Sequence, residues 1–154
     1  MNEVAPVQAL APNNWLVAGG ILSALAAILH LAIIAGGPDW YRFFGAGETM
    51  ARMAERGLLR PTFYAIAIAS ILAIWSAYAF SGAGLLPRLP LIRTALVAIS
   101  AAYLLRGLAP IPLALLRPDL LGPFALWSSL IVLVYGICYA AGTWRAWPIL
   151  SAGS

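Results

Sequence analysis

Few residues in this 154-residue chain could do chemistry: one histidine, nine arginines (there is no lysine) and five acids. His30 lies inside an apolar stretch, a few residues before the break at Gly36-Gly37-Pro38. Arg106 lies inside another, in the string YLLRGL. Between them in sequence come Asp39, Glu48 and Glu55, interleaved with Trp40, Tyr41, Phe43 and Phe44. A neutral imidazole can take or give a proton near neutral pH. A guanidinium can hold a carboxylate or another anion through its planar fork. An ionised side chain within a bilayer costs from a few to more than about 10 kcal/mol and by default marks a functional site.

Motifs of known chemistry are missing. There is no GxSxG, HExxH or P-loop and no pair of haem-type histidines, and Gly45 with Gly47 makes only a loose Gly-x-Gly. One histidine and the single Cys138 exclude a multi-histidine metal site, a cysteine metal site and an internal disulfide. The sequence therefore assigns no catalytic set, no metal and no cofactor.

The elements that must position these residues follow from composition. The chain is 63% hydrophobic and 9% charged, against roughly 25% charged in a soluble domain. Too little polar surface remains to face water, so lipid is the solvent. The arginines are dispersed between apolar runs, which argues against nucleic-acid binding, where they would cluster on one face. The reading is an all-α membrane protein: a four-helix transmembrane bundle with a short interfacial amphipathic helix between spans 1 and 2. The spans are expected at about 15–35, 61–80, 91–109 and 124–142, each long enough to cross a hydrocarbon core of about 30 Å. The interfacial helix is expected over 45–58, with Ala46, Met50, Met53 and Gly57 on one side and Glu48, Arg52, Glu55 and Arg56 on the other. Residues 1–14 read as a polar tail without the basic start of a signal peptide, and 113–123 as a turn. Residues 15–143 form the single transmembrane domain, and 144–154 a C-terminal tail anchored by Trp144 and Trp147 at the interface.

Four spans put both termini on one side, here side A, and the 37–60 connection on side B. Arg88, Arg93 and Arg145 fall on A; Arg42, Arg52, Arg56, Arg60 and Arg117 fall on B. A literal count favours B in the cytoplasm. The acids Asp39, Glu48, Glu55 and Asp119 offset the B arginines, and the orientation adopted is termini in the cytoplasm.

Helical spacing places Gly19, Ser23, Ala26, Ala27 and His30 on one face of span 1. It places Ala95, Ile99, Ala102, Tyr103 and Arg106 on one face of span 3, and Ser128, Tyr135 and Tyr139 on one face of span 4. Small residues allow close helix approach in lipid, so His30 and Arg106 are both expected to point inward near side B. Arg106 is then expected to pair with Asp39, Glu48 or Glu55, or with a carbonyl at the Gly36-Gly37 break. The candidate ligand-binding set at this end is His30, Trp40, Tyr41, Glu48, Glu55, Arg106, Trp127 and Ser128.

The string HLAIIAGGPDWYRFFGAGE, with YAFSGAG closing the second span and YLLRGL in the third, resembles small uncharacterised bacterial inner-membrane proteins. The broad layout is also similar to DoxX-like four-helix membrane proteins. The resemblance implies a multi-pass protein of the bacterial inner membrane and no particular reaction. The expected function is that of a binding or accessory protein, in contact with membrane lipids, that holds a lipid, a quinone or another amphipathic small molecule at the B end. A membrane enzyme using His30 as acid or base is the rival from a different class. A structural subunit, self-associating or joined to another membrane protein, is the third reading.

Overall fold

A computed structural model describes residues 12–117, 119 and 122–151. The regular structure among the described residues is all helical: α1 (Asn14–Gly36), α2 (Pro38–Phe43), α3 (Glu48–Glu55), α4 (Arg60–Gly82), α5 (Ile92–Leu108), α6 (Pro110–Leu116) and α7 (Pro123–Ser151). Four helical stretches are long and apolar enough to cross a membrane: α1, α4, α5 continued by α6, and α7. Helix α1 packs along α4, α5 packs along α7, and α1 also lies against α7, so α1 and α7 form the middle of the bundle.

The boundaries differ from the expected ones in instructive ways. Ala109 stays in right-handed helical geometry, so α5 runs on into α6 and the third stretch reaches Leu116. Pro110 and Pro112 do not end it, because Pro110 starts a new helical segment, where its missing N–H costs nothing. The fourth helix passes through Gly142 to Ser151. Gly142 is there for packing: a Cβ on it would lie 2.6 Å from Leu16 Cγ. Most of the expected C-terminal tail is therefore helix. In the connection, the stretch around Trp40 is itself a helix, begun by Pro38 with Asp39 in its first turn. The amphipathic helix is shorter than 45–58, bounded by Gly47 and Gly57 at φ +91° and +70°, conformations that glycine adopts at little cost. The expected N-terminal tail lies mostly outside the described residues.

In lipid, helices gain little from excluding water and associate through close packing and hydrogen bonds. Both occur here. Gly107 meets the backbone of Leu133, its absent Cβ only 2.8 Å from Leu133 Cα, and the Leu104 side chain seats on Gly136. Gly19 accepts the ring of Tyr139, and Gly20 that of Phe80. At the centre, Ser23 Oγ lies 2.8 Å from Tyr103 Oη and 2.9 Å from Tyr139 Oη, and Tyr139 Oη donates to the Trp75 carbonyl at 3.0 Å. Ser76 Oγ adds a bond to the Gly20 carbonyl at 2.8 Å. Trp75, Tyr103, Tyr135 and Tyr139 stack around the hydroxyls, with centroids 4.8 to 5.5 Å apart. One serine on α1 thus joins α4, α5 and α7.

Gly107→Ala is expected to force α5 and α7 apart, because the obstacle is backbone. The melting midpoint in detergent should fall by the equivalent of about 1–3 kcal/mol, whereas Ala101→Gly, at an exposed site, should cost no more than the usual glycine penalty. Ser23→Ala removes the hydroxyl partner of Tyr103 and should cost about 1–2 kcal/mol. Adding Tyr103→Phe should recover part of that loss, since the orphaned hydroxyl goes with it; a double variant less stable than Ser23→Ala would show that the hub is not cooperative in this way.

Candidate functional site

The residues expected to converge at the B end do not form one constellation. His30 is half-buried, and its Nδ1 lies 2.8 Å from the carbonyl of Ala26, one turn back on its own helix. Among the described residues no carboxylate bonds to it, so nothing of that kind orients the ring as an acid or base.

The acids gather on a different arginine. Arg42 Nε and Nη2 donate to the two carboxylate oxygens of Glu48 at 2.8 and 3.3 Å, Nη1 donates to Asp39 at 3.1 Å, and Nη2 also donates to Glu55. Arg52 adds a bond to Glu48 at 2.9 Å. The carboxylates of α2 and α3 therefore clasp the two short helices together on their wet side. On the dry side, Tyr41 and Ala51 bury against Ile33 of α1. The Tyr41 hydroxyl is buried there without a partner among the described residues. Trp40 is exposed at its indole and stacks obliquely on Phe44.

The expected pairing of Arg106 with Asp39, Glu48, Glu55 or the Gly36-Gly37 carbonyls is not what the structure shows. Arg106 is exposed, and its Nη1 and Nη2 donate to Ser129 Oγ at 2.6 Å and Ser128 Oγ at 3.3 Å. The physical reason is depth. Because α5 continues as α6, Arg106 sits well inside the third stretch, out of reach of the B connection. It faces α7, where Ser128 is one of its partners, whereas Trp127, also in the expected set, is 68% exposed.

An unexpected feature lies at the A end. Two open grooves, of about 670 and 540 Å³, share Val97 and Trp147; the outer follows the turn into α5 and the inner lies between α5 and α7. The outer one is lined by Arg88, Pro90, Leu91, Arg93 and Thr94. The inner one is lined by Ser100, Ala101, Leu104, Ala140, Thr143 and Trp144. The outer wall is held by contacts of its own. Arg88 donates to the Leu150 carbonyl near the end of α7, and the Arg93 guanidinium lies 4.8 Å from the centre of the Trp147 ring. Leu91 takes a left-handed conformation at φ 53°, which for a side chain of this type is a strained state of the kind found at functional sites. The Thr143 hydroxyl is buried beside the inner groove with no partner among the described residues. Signals for this region were present in the sequence as Arg88 and Arg93 around Pro90 and as the small residues Ser100, Ala101, Ala140 and Thr143 on facing helices. Hydropathy alone reads them as a turn and as packing.

Among the described residues no group of histidine, cysteine and acid side chains is placed to hold a metal ion. Architecture and composition together define an all-helical, multi-pass membrane protein built on four apolar stretches. No protein-family model, curated protein or solved structure matches the chain.

The stability of the B-end clasp depends on pH. Hydrogen bonds from Arg42, then Arg52, hold the Glu48 carboxyl down from 4.5 to about 2. A depressed carboxylate stabilises the folded state above its unfolded value, and that contribution is lost as pH falls from about 4.5 towards about 2. Backbone amides of α3 should therefore exchange faster as pH drops through that window, after correction for intrinsic rates, and Glu48→Gln should flatten the dependence. An unchanged profile in Glu48→Gln would show that the clasp does not hold α3.

Proposed function

We propose that the protein is a membrane-embedded binder of an anionic amphiphile, seated in the α5–α7 groove at the A end. The observation that carries this reading is the joining, through Val97 and Trp147, of a groove that holds two guanidinium groups to one that is almost wholly apolar. Arg88 and Arg93 stand among apolar side chains in the outer part, and the inner part is lined by small and apolar residues. A head group with negative charge suits Arg88 and Arg93, since a planar guanidinium recognises carboxylate and phosphate. An acyl or prenyl chain suits Val97, Ala101, Leu104 and Ala140. Ligand sites of this size are mostly apolar with a few placed polar groups. The reading keeps the amphipathic ligand expected from the sequence and moves it from the B end to the A end. We place the protein in the bacterial inner membrane with both termini in the cytoplasm, so the groove opens towards the cytoplasmic leaflet.

A nitroxide-labelled fatty acid and its methyl ester make a direct test, read by quenching of tryptophan fluorescence in detergent. The acid should bind the wild type more tightly than the ester. Arg88→Gln with Arg93→Gln should weaken the acid by about tenfold, the loss of a charge-assisted hydrogen bond, and leave the ester unchanged. Ala101→Trp, which fills the inner groove from an exposed position, should weaken both. Equal binding of acid and ester, or indifference of both to Ala101→Trp, would overturn the proposal.

A further inference from the structure

A second feature, independent of the groove, concerns the depth and exposure of Arg106. Leu16 meets Gly142 and Gly19 meets Tyr139, so α1 and α7 run antiparallel with Leu25, the middle of α1, level with Leu133. Leu133 in turn meets Gly107. The Arg106 backbone therefore lies at mid-depth of the bundle. Its side chain reaches towards the B end by the height separating residue 134 from Ser129, about 7 Å at 1.5 Å per residue. The guanidinium is still more than a helical turn inside the start of α7 at Pro123. It remains exposed while it bonds to α7, and Leu105, beside it in sequence, and Trp127, Leu130 and Ile131, flanking the two serines, are all more than half exposed. Two serine hydroxyls accept from Nη1 and Nη2. A guanidinium has five N–H donors, and two neutral hydroxyls supply no countercharge.

Among the described residues none of the acids Asp39, Glu48, Glu55 and Asp119 falls within a membrane-crossing stretch, so the described part of the chain supplies no countercharge at this depth. A second copy related by an axis along the membrane normal would bring another arginine to the same level. We propose that the outer face of α5 and α7 around Arg106 docks a transmembrane helix of another protein that carries a carboxylate at mid-depth. The exposed leucine, isoleucine and indole surface would pack along that helix. Ser128 and Ser129 hold the guanidinium fork facing it, leaving the remaining N–H groups for a bidentate bond. A carboxylate in hydrocarbon is ordinarily neutral, and an adjacent fixed cation favours its ionised form, so the pair forms only where the two helices meet. In this arrangement the intramembrane arginine selects its partner, because an apolar helix of the same shape leaves the cation unpaired.

The test uses a leucine–alanine transmembrane peptide with one central Glu, and its Gln counterpart. Both are labelled for energy transfer to the labelled full-length protein in phosphatidylcholine vesicles at pH 8. The Glu peptide should associate about tenfold more tightly than the Gln peptide, the size of a good interhelical polar contact. That preference should vanish in Arg106→Gln and persist in Arg117→Gln, whose guanidinium is engaged with Asp119 outside the spans. If Arg106→Gln fails to fold, Ser128→Ala with Ser129→Ala should narrow the preference while leaving helix content intact. Equal association of the two peptides, or a preference that survives Arg106→Gln, overturns the proposal. A preference abolished by adding phosphatidylglycerol would assign the cation to lipid head groups. Energy transfer between two copies of the protein that Arg106→Gln removes would assign the face to self-association. Either result also overturns it.

Discussion

The hydroxyl of Ser23 is the point on which the bundle depends. In water a serine at this place would be one polar contact among many. In lipid the helices have no solvent to flee, and a shared hydrogen bond is one of the few forces that distinguish one packing from another. Ser23 reaches the hydroxyls of Tyr103 and Tyr139, and Tyr139 reaches the Trp75 carbonyl. Every membrane-crossing stretch contributes a group. The tyrosines are bulky, so their hydroxyls can meet on a serine only if the opposing backbones are bare. Gly19 under the Tyr139 ring supplies that space on α1. The glycines and the polar hub are therefore one device: close approach permits the bonds, and the bonds fix the rotation of each helix.

Much of the fold was legible because hydropathy measures the solvent directly. The four stretches and the amphipathic connection follow from where charges are absent and where they return. The small-residue faces were legible too: Gly19, Ser23 and Ala27 on α1 are buried as their spacing requires, as are Ile99 and Tyr103 on α5. What was not legible is where a helix ends when its terminating signals have another use. Gly142 stands where the fourth span was expected to end and serves instead as the seat of Leu16. Pro110 reads as a stop and begins a continuation. The error at Pro110 carried through to chemistry, since it moved Arg106 from a helix end to mid-depth and so gave it the wrong partners. The acids were found at the right end, but their organiser, Arg42, is a member of the same short connection. An arginine three residues after Asp39 and six before Glu48 competes at close range, and local ion pairs cost less chain ordering than distant ones.

The two exceptional features, groove and exposed cation, both belong to the α5–α7 pair. At mid-depth Gly107 meets Leu133 and Gly136 meets Leu104. Towards side A the inner groove lies beside Ala140, Thr143 and Trp147. Towards side B the Arg106 side chain reaches across to Ser128 and Ser129. A long flexible cation makes hydrogen bonds to the neighbouring helix that no aliphatic side chain of the same volume would make. It does so at the cost of keeping a charge at the lipid-facing surface. Substituting the arginine by leucine would suit the lipid and lose the bridge. The retention of a guanidinium at this level is thus explained only in part by the bundle itself, and the unmatched part of its charge points outward, to whatever lies beside α5 and α7 in the membrane.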